Sequence, residues 1–120
     1  MSQDGGFLGW DPTELPIEGV DWSYRGEYIR TRSKRKPGEF DVEPEWATEA
    51  VMDEQRILAA PDPASKSGET IRVIGYSTSA NRILVVILRP VDPGDIEGTW
   101  YGVNAWPANS TQMKRYQREG

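Results

Sequence analysis

The spacing of apolar and polar positions predicts a helix, a pair of strands and their connection in the middle of the chain. Apolar residues recur every three or four positions after Pro44, which suits the first turn of a helix, so residues 44–53 are predicted to be helical. Residues 70–76 are rich in β-branched side chains and predict a strand. Residues 83–88 are almost wholly apolar and predict a strand that is covered on both faces. The intervening segment has the length of a hairpin connection.

A third strand is predicted over residues 99–106, after a loop rich in proline and glycine. Period-two alternation divides it into two faces. The face expected to point away from the core carries Trp100, Gly102, Asn104 and Trp106. The expected core face carries Tyr101, Val103 and Ala105. On the first strand, Arg72 shares a side with Ile74 and Tyr76, so we expect Arg72 beside the tryptophans and the asparagine.

The end of the chain predicts a short capped helix. Asn109 is followed three positions later by Gln112, which resembles a capping box. Tyr116 is spaced to touch the sheet, whereas Lys114 and Arg115 are expected on the outer side, where positive charge near a helix C-terminus is favourable. These cations have two interpretations, a solvated helix face or an auxiliary binding site.

Composition excludes several chemistries. The chain has 120 residues, no cysteine and no histidine. Thiolate and imidazole catalysis and the usual metal ligands are therefore absent, and acid–base work would fall to carboxylates, tyrosine, lysine or arginine. The acidic residues lack the spacing of a calcium loop, so no metal and no small-molecule cofactor is expected. No run reaches membrane-spanning length and no signal peptide is recognised, so we expect a cytoplasmic protein with no membrane partner.

Charge changes sign along the chain and suggests two regions. All charged residues in 1–24 are acidic, residues 25–36 carry a basic block, and residues 39–54 are again mainly acidic. With its many glycines and prolines, the segment 1–38 is predicted to be a partly flexible arm, followed by an α+β domain over residues 39–120. The basic block has two interpretations, a solvated segment or a site for an anionic partner. The net charge of −5 argues against binding nucleic acid by bulk attraction.

The order of elements and several segments resemble the BrnT-type toxins of the RelE-like superfamily. The resemblance covers roughly residues 40–116. It is carried by the helix Glu45-Trp46-Ala47-Thr48-Glu49-Ala50-Val51, by Gly68-Glu69-Thr70-Ile71-Arg72, by Arg82-Ile83-Leu84-Val85-Val86, by Asn104-Ala105-Trp106-Pro107-Ala108 and by Arg115-Tyr116 in the last helix. It implies a small antiparallel sheet with helices packed on one face.

The same resemblance implies the toxin of a type II toxin–antitoxin pair, a metal-independent ribonuclease whose partners are RNA and a cognate antitoxin protein. Arginines of an open sheet face would offset charge while a 2′-hydroxyl attacks its neighbouring phosphate. The candidate catalytic residues are Arg72, Arg82, Asn104 and Arg115. The candidate RNA-binding residues are Trp106, Asn109, Lys114 and Tyr76.

A second hypothesis is a noncatalytic protein–protein interaction module on the same fold. Trp106 stands where the family's last strand usually has an arginine, and a tryptophan can stack on a base but cannot neutralise a phosphate. Tryptophan and arginine together are also typical of protein-binding hot spots. We further expect the acidic segment 1–24 to screen the face that carries Arg72 and Arg82.

Overall fold

One mixed sheet of five strands forms the centre of the computed structural model, which describes residues 6–120. The strands are β1 (Gly19–Asp21), β2 (Ile57–Ala59), β3 (Ile71–Ser77), β4 (Arg82–Pro90) and β5 (Thr99–Pro107). The helices are α1 (Gly26–Arg30), α2 (Arg32–Arg35), α3 (Pro44–Val51) and α4 (Ser110–Glu119), with a short 3-10 helix at Pro12–Glu14. The strand order is β1-β5-β4-β3-β2.

The predicted α+β class is confirmed, but the sheet is mixed. Strands β2 to β5 pair antiparallel with their neighbours, whereas β1 lies parallel to the first half of β5. The three predicted strands, the hairpin connection and both predicted helices are present at nearly the expected positions. No helix within residues 6–120 is long and apolar enough to cross a bilayer.

The segment predicted to be a separate arm belongs to the core from Phe7 onward, so the structure has no domain boundary at residue 38. Phe7, Leu15, Ile17 and Ile29 are buried in one cluster with residues of α3, β3 and β4. The indole nitrogen of Trp100 donates a hydrogen bond of 2.8 Å to the carbonyl of Pro16. Sequence periodicity does not reveal this packing, because these apolar residues lie in irregular segments and in the short helix α1, which have no detectable period. Asp4 lies outside the described residues.

Several arginines of the basic block contact neighbouring residues within the fold. Arg30 forms ion pairs with Glu27 and Glu43, at 2.8 and 3.3 Å. The guanidinium carbons of Arg25 and Arg35 each lie 3.9 Å from the centre of the Tyr28 ring, so the ring lies close to two cations. These arginines therefore contact neighbouring residues, whereas the exposed lysines of the block form no ion pair with a described residue.

Both faces of the sheet carry buried side chains, which corrects the prediction that the helices pack on one face. On the first face α3 covers alternating residues of β3 and β4, including Val73, Leu84 and Val86, and α1 packs against β5. On the second face Ile74, Val85 and Ile87 form a smaller cluster. Helix α4 packs Tyr116 against this second cluster, on the side opposite α3. The run in β4 is almost wholly apolar because both of its faces are covered.

A β-bulge in β5 reverses the alternation of side chains. Ile87 of β4 pairs with Asn104 but Leu88 pairs with Gly102, which leaves Val103 as the additional residue. Before the bulge, Trp100 is completely buried in the first face. After the bulge, Trp106 lies on the second face. The predicted grouping of the two tryptophans on one face was therefore wrong, because strict alternation does not survive an inserted residue.

Helix α3 lies unusually close to β3, and the sequence allows this at Gly75. A Cβ atom placed on Gly75 would lie 1.9 Å from the carbonyl oxygen of Ala50, far inside van der Waals contact. The carboxylate of Glu49 also accepts hydrogen bonds from the hydroxyls of Ser77 and Ser79, at 2.7 and 2.6 Å. These bonds, first those to Ser79, hold the pKa of Glu49 below its usual value. The helix is thus fixed to the β3–β4 hairpin by close packing and by a carboxylate.

We predict that Gly75→Ala lowers the free energy of unfolding by about 2–3 kcal/mol, because the clash is with backbone and can be relieved only by moving α3. Urea denaturation followed by circular dichroism measures the change. Gly19→Ala is the matched control in a strand, since a Cβ atom there would meet nothing within 4 Å. Equal stability of the two variants would contradict the proposed close packing.

Candidate interaction surface

Arg32, Arg72, Asn104 and Trp106 meet on the second face of the sheet, and we call them the Trp106 surface. Arg72 in β3 and Asn104 in β5 both pair with Ile87 of the central strand β4, so the three lie in one row. Trp106 lies in the next row, opposite Val85. Arg72, Asn104 and Trp106 are therefore neighbours, as predicted. The bulge in β5 precedes Asn104 and does not separate these three residues.

Two guanidinium groups approach the Trp106 ring. The central carbons of Arg32 and Arg72 lie 5.8 and 5.9 Å from the ring centre. Both distances are within the range of a cation–π interaction. Trp106 is partly exposed, so its ring is available at the surface between two cationic side chains.

Arg32 reaches this surface from the open edge of β5. Strand β1 covers only the first half of β5, and the α1–α2 segment packs beside the second half. There Arg25 donates a hydrogen bond of 3.1 Å to the carbonyl of Val103, the bulged residue. Arg32 donates one of 3.3 Å to the side-chain oxygen of Asn104, and its Nε lies 3.0 Å from a carboxylate oxygen of Glu39. The α1–α2 segment thus covers the part of the β5 edge that β1 leaves unpaired.

Arg72 is paired with a buried carboxylate. Its Nε lies 3.0 Å from Oδ1 of Asp62, whose side chain is only 6% exposed. The two groups form an ion pair without an aligned hydrogen bond, so the buried Nε–H has no acceptor in the described residues. Asp62 also accepts a 3.3 Å hydrogen bond from the backbone of Ala64, which fixes its loop. Arg72 is therefore neutralised but not fully satisfied as a donor.

Helix α4 covers the second face of the sheet over β2 and β3. One of its residues, Tyr116, anchors it there. None of its residues is completely buried, and the Tyr116 hydroxyl donates a hydrogen bond to Oδ2 of Asp53. Partial burial by itself would raise the pKa of Asp53, but hydrogen bonds from Tyr116 and from the amides of Gln55 and Tyr76 outweigh it and lower the pKa. Burial first, and then Asp53, raise the pKa of Tyr116 to about 12.

A cavity of about 50 Å³ lies between α4 and the strands β2 and β3. Its polar lining consists of Arg72, Arg115 and Gln112, and the rest is mainly apolar, including Leu58 and Ile74. Two of the predicted catalytic residues, Arg72 and Arg115, are thus brought to one cavity. Arg115 also forms an exposed ion pair of 3.2 Å with Glu119.

Arg82, by contrast, lies on the opposite face of the sheet from Arg72. It pairs with Ser77, which faces α3, and its guanidinium carbon lies 4.4 Å from the centre of the Phe40 ring. Arg72 and Arg82 therefore do not share one face of the sheet, as their expected joint action would require. No described residue of the acidic segment 1–24 forms an ion pair with Arg72 or Arg82. The carboxylate partner of Arg72 is Asp62.

The remaining predicted RNA-binding residues have separate surroundings. Asn109 caps α4 through a complete capping box with Gln112, so its side-chain oxygen and backbone N–H are occupied in the fold. Lys114 is exposed on α4 and forms no ion pair with a described residue. Tyr76 lies on the second face, and its hydroxyl donates a hydrogen bond to Asn81 in the hairpin turn. Only Trp106 of the four is a partly exposed aromatic group between cations.

Sequence analysis missed Arg32, Glu39 and Asp62 as members of this site. Arg32 was visible only as one of several basic residues, and nothing local distinguishes it. Asp62 stands between two prolines in a loop, and its burial follows from its pairing with Arg72. Within the described part of the chain, no three carboxylates are arranged to hold a metal ion, although Asp21, Asp92, Asp95 and Glu97 share one open cleft.

Comparison with known proteins yields no relative: no family model, curated protein or solved structure matches this chain.

We predict that Tyr116→Phe lowers stability by about 1.5–3 kcal/mol at pH 7, because Asp53 loses a hydrogen bond to its charged form. The protonated tyrosine stabilises the fold fully below its unfolded pKa of about 10. This contribution is lost as the pH rises through the folded value of about 12. Wild-type stability should therefore fall between pH 10 and 12 through this group, and the variant should lack that component.

Urea denaturation at a series of pH values measures this difference. Tyr24→Phe is the control, since Tyr24 is 73% exposed and donates no hydrogen bond to a described residue. If Tyr116→Phe and Tyr24→Phe behave alike at both pH 7 and pH 11, Tyr116 does not anchor α4.

Proposed function

We propose that this chain is a noncatalytic module that binds a partner protein on the Trp106 surface. The observation that carries the proposal is the pairing of both guanidinium groups beside Trp106, Arg32 with Glu39 and Arg72 with Asp62, each at 3.0 Å. A surface made of an aromatic ring and internally neutralised arginines favours a partner with few charges at its centre. It is poorly suited to a chain of phosphates.

Cleavage of RNA would require free positive charge where the phosphate develops charge. Binding a phosphate at Arg72 or Arg32 would bring it next to Asp62 or Glu39, whose charges would repel it. Arg82, another arginine of the expected catalytic set, lies on the other side of the sheet. The net charge of −5 adds a long-range repulsion that a nuclease of this size would have to overcome.

A protein partner fits the chemistry of the surface better. Tryptophan and arginine are enriched at the centres of protein interfaces, where a guanidinium group stacks and donates hydrogen bonds while a paired carboxylate balances its charge. Val103 and Ile83 lie on the same face and are partly exposed, so the ring is continued by apolar area. Because the whole chain is acidic, we expect the partner's surface to have an apolar centre and a basic rim.

The RNA-cleaving toxin hypothesis is the competing proposal, and one observation favours it. Arg72 and Arg115 line one cavity, so two cations could act together if Asp62 and Glu119 moved away. An antitoxin-like protein fits both proposals as the partner. The two differ in whether RNA is bound and cut.

The proposal is tested by comparing tagged wild type with Trp106→Ala and Tyr24→Ala in cells of the natural host. Quantitative mass spectrometry of crosslinked complexes identifies the partner, whose affinity is then measured with purified protein. We expect Trp106→Ala to weaken binding about 30-fold or more, as loss of a hot-spot side chain does. Tyr24→Ala, which removes an exposed aromatic ring elsewhere, should bind as wild type does.

The same purified proteins distinguish the competing hypothesis. Incubation of wild type with total and synthetic single-stranded RNA should give neither cleavage nor salt-dependent binding. RNA cleavage by wild type that is lost in Arg72→Ala would overturn the noncatalytic proposal. Undiminished partner binding by a folded Trp106→Ala variant would remove the Trp106 surface from it.

A further inference from the structure

The cavity between α4 and the strands β2 and β3 has a donor-rich end and apolar walls. Arg72, Arg115 and Gln112 supply the polar end, and Ile57, Leu58 and Ile74 supply part of the walls. Its volume of about 50 Å³ has room for roughly four groups of the size of a water molecule. A carboxylate group with the carbon atoms attached to it is of this size. The cavity therefore suits a small ligand with one polar end.

The polar groups that face the cavity retain unused donors. The Nε–H of Arg72 is buried beside Asp62 without a hydrogen-bond acceptor in the described residues, so the terminal nitrogens of this guanidinium are the donors that reach the cavity. The Arg115 guanidinium uses only Nε for its ion pair with Glu119. The side-chain oxygen of Gln112 accepts a hydrogen bond of 2.9 Å from the backbone of Asn109, so its orientation is set by the capping box and its NH₂ group remains free to donate.

The charges around the cavity determine which anion it suits. Two guanidinium groups lie beside two carboxylates, Asp62 at 3.0 Å from Arg72 and Glu119 at 3.2 Å from Arg115. The surroundings are thus close to neutral overall, and a doubly charged phosphate would meet two nearby negative groups. A monoanion with two coplanar oxygens matches guanidinium donors and adds less repulsion.

We propose that this cavity is a binding site for a small monocarboxylate, either a free acid or the terminal carboxylate of a peptide. The carboxylate oxygens accept hydrogen bonds from Arg72, Arg115 and the Gln112 amide, and the attached carbon atoms lie against Ile57, Leu58 and Ile74. The site shares Arg72 with the Trp106 surface, but Arg115 and Gln112 lie outside that surface, so the effect of Arg115→Gln is distinguishable from a failure of the proposed function.

The buried Nε–H of Arg72 gives a direct test. Acetate is titrated into the full-length protein at constant ionic strength, balanced with sodium chloride, while arginine Nε–H signals are followed by ¹H–¹⁵N nuclear magnetic resonance. We expect the Arg72 signal to shift saturably in wild type. In Arg115→Gln, binding should weaken about tenfold, through loss of one charge-assisted donor.

Arg118→Gln is the matched control, because Arg118 is on the same helix, is 70% exposed and does not line the cavity. It should bind acetate as wild type does. Arg72→Lys provides a second cavity variant that keeps a positive charge beside Asp62, with binding followed at the Gln112 side-chain amide. It should also bind more weakly, since a lysine lacks the planar fork of donors.

Two further ligands identify the source of the carboxylate. Tighter binding of N-acetylglycine than of acetate points to a peptide terminus, and the reverse points to a free small acid. N-acetylglycinamide, which has no carboxylate, should leave the Arg72 signal unchanged. The proposal is overturned by a non-saturable shift in wild type, by equal affinity in Arg115→Gln, or by phosphate binding as tightly as acetate.

Discussion

The β-bulge at Val103 is the constraint on which the candidate surface depends. Without the additional residue, Trp106 would point to the same side as Trp100 and would compete with α1 and α3 for the core. With it, one strand supplies a buried tryptophan to the first face and an accessible one to the second. The bulge is held by Arg25, whose guanidinium donates to the carbonyl of Val103. The basic segment therefore determines the geometry of the last strand as well as covering its edge.

The same segment explains why the surface has little free charge. The chain between α1 and α3 passes the open edge of β5 and delivers Arg32 together with its partner Glu39. On the far side, the loop before β3 delivers Asp62 to Arg72. Each cation at the Trp106 ring thus arrives with its own carboxylate. Removing either partner alone would leave an uncompensated charge in a partly buried place, which is costly.

Local patterns predicted the longer elements α3, β3, β4, β5 and α4, whereas the short elements β1, β2, α1 and α2 were not predicted, and non-local pairing decided the rest. Helix α3 and the β3–β4 hairpin follow from periodicity within short windows, as does the position of Arg72 beside the end of β5. The separation of Arg72 and Arg82 follows from the hairpin register, in which Ser77 pairs with Arg82. The bulge and the burial of Phe7 depend on partners far along the chain, and no window contains that information.

The replacement of an expected arginine by Trp106 is consistent with the paired charges around it. A third guanidinium on the second face would stand near two that already share Glu39 and Asp62, so it would add repulsion unless an anion were bound. An indole ring instead lies within cation–π distance of both guanidinium groups and adds no charge that would need a counter-ion. The surface is thereby stable in the absence of a ligand. Such preorganisation lowers the cost of binding a partner, because few groups have to change their interactions when the interface forms.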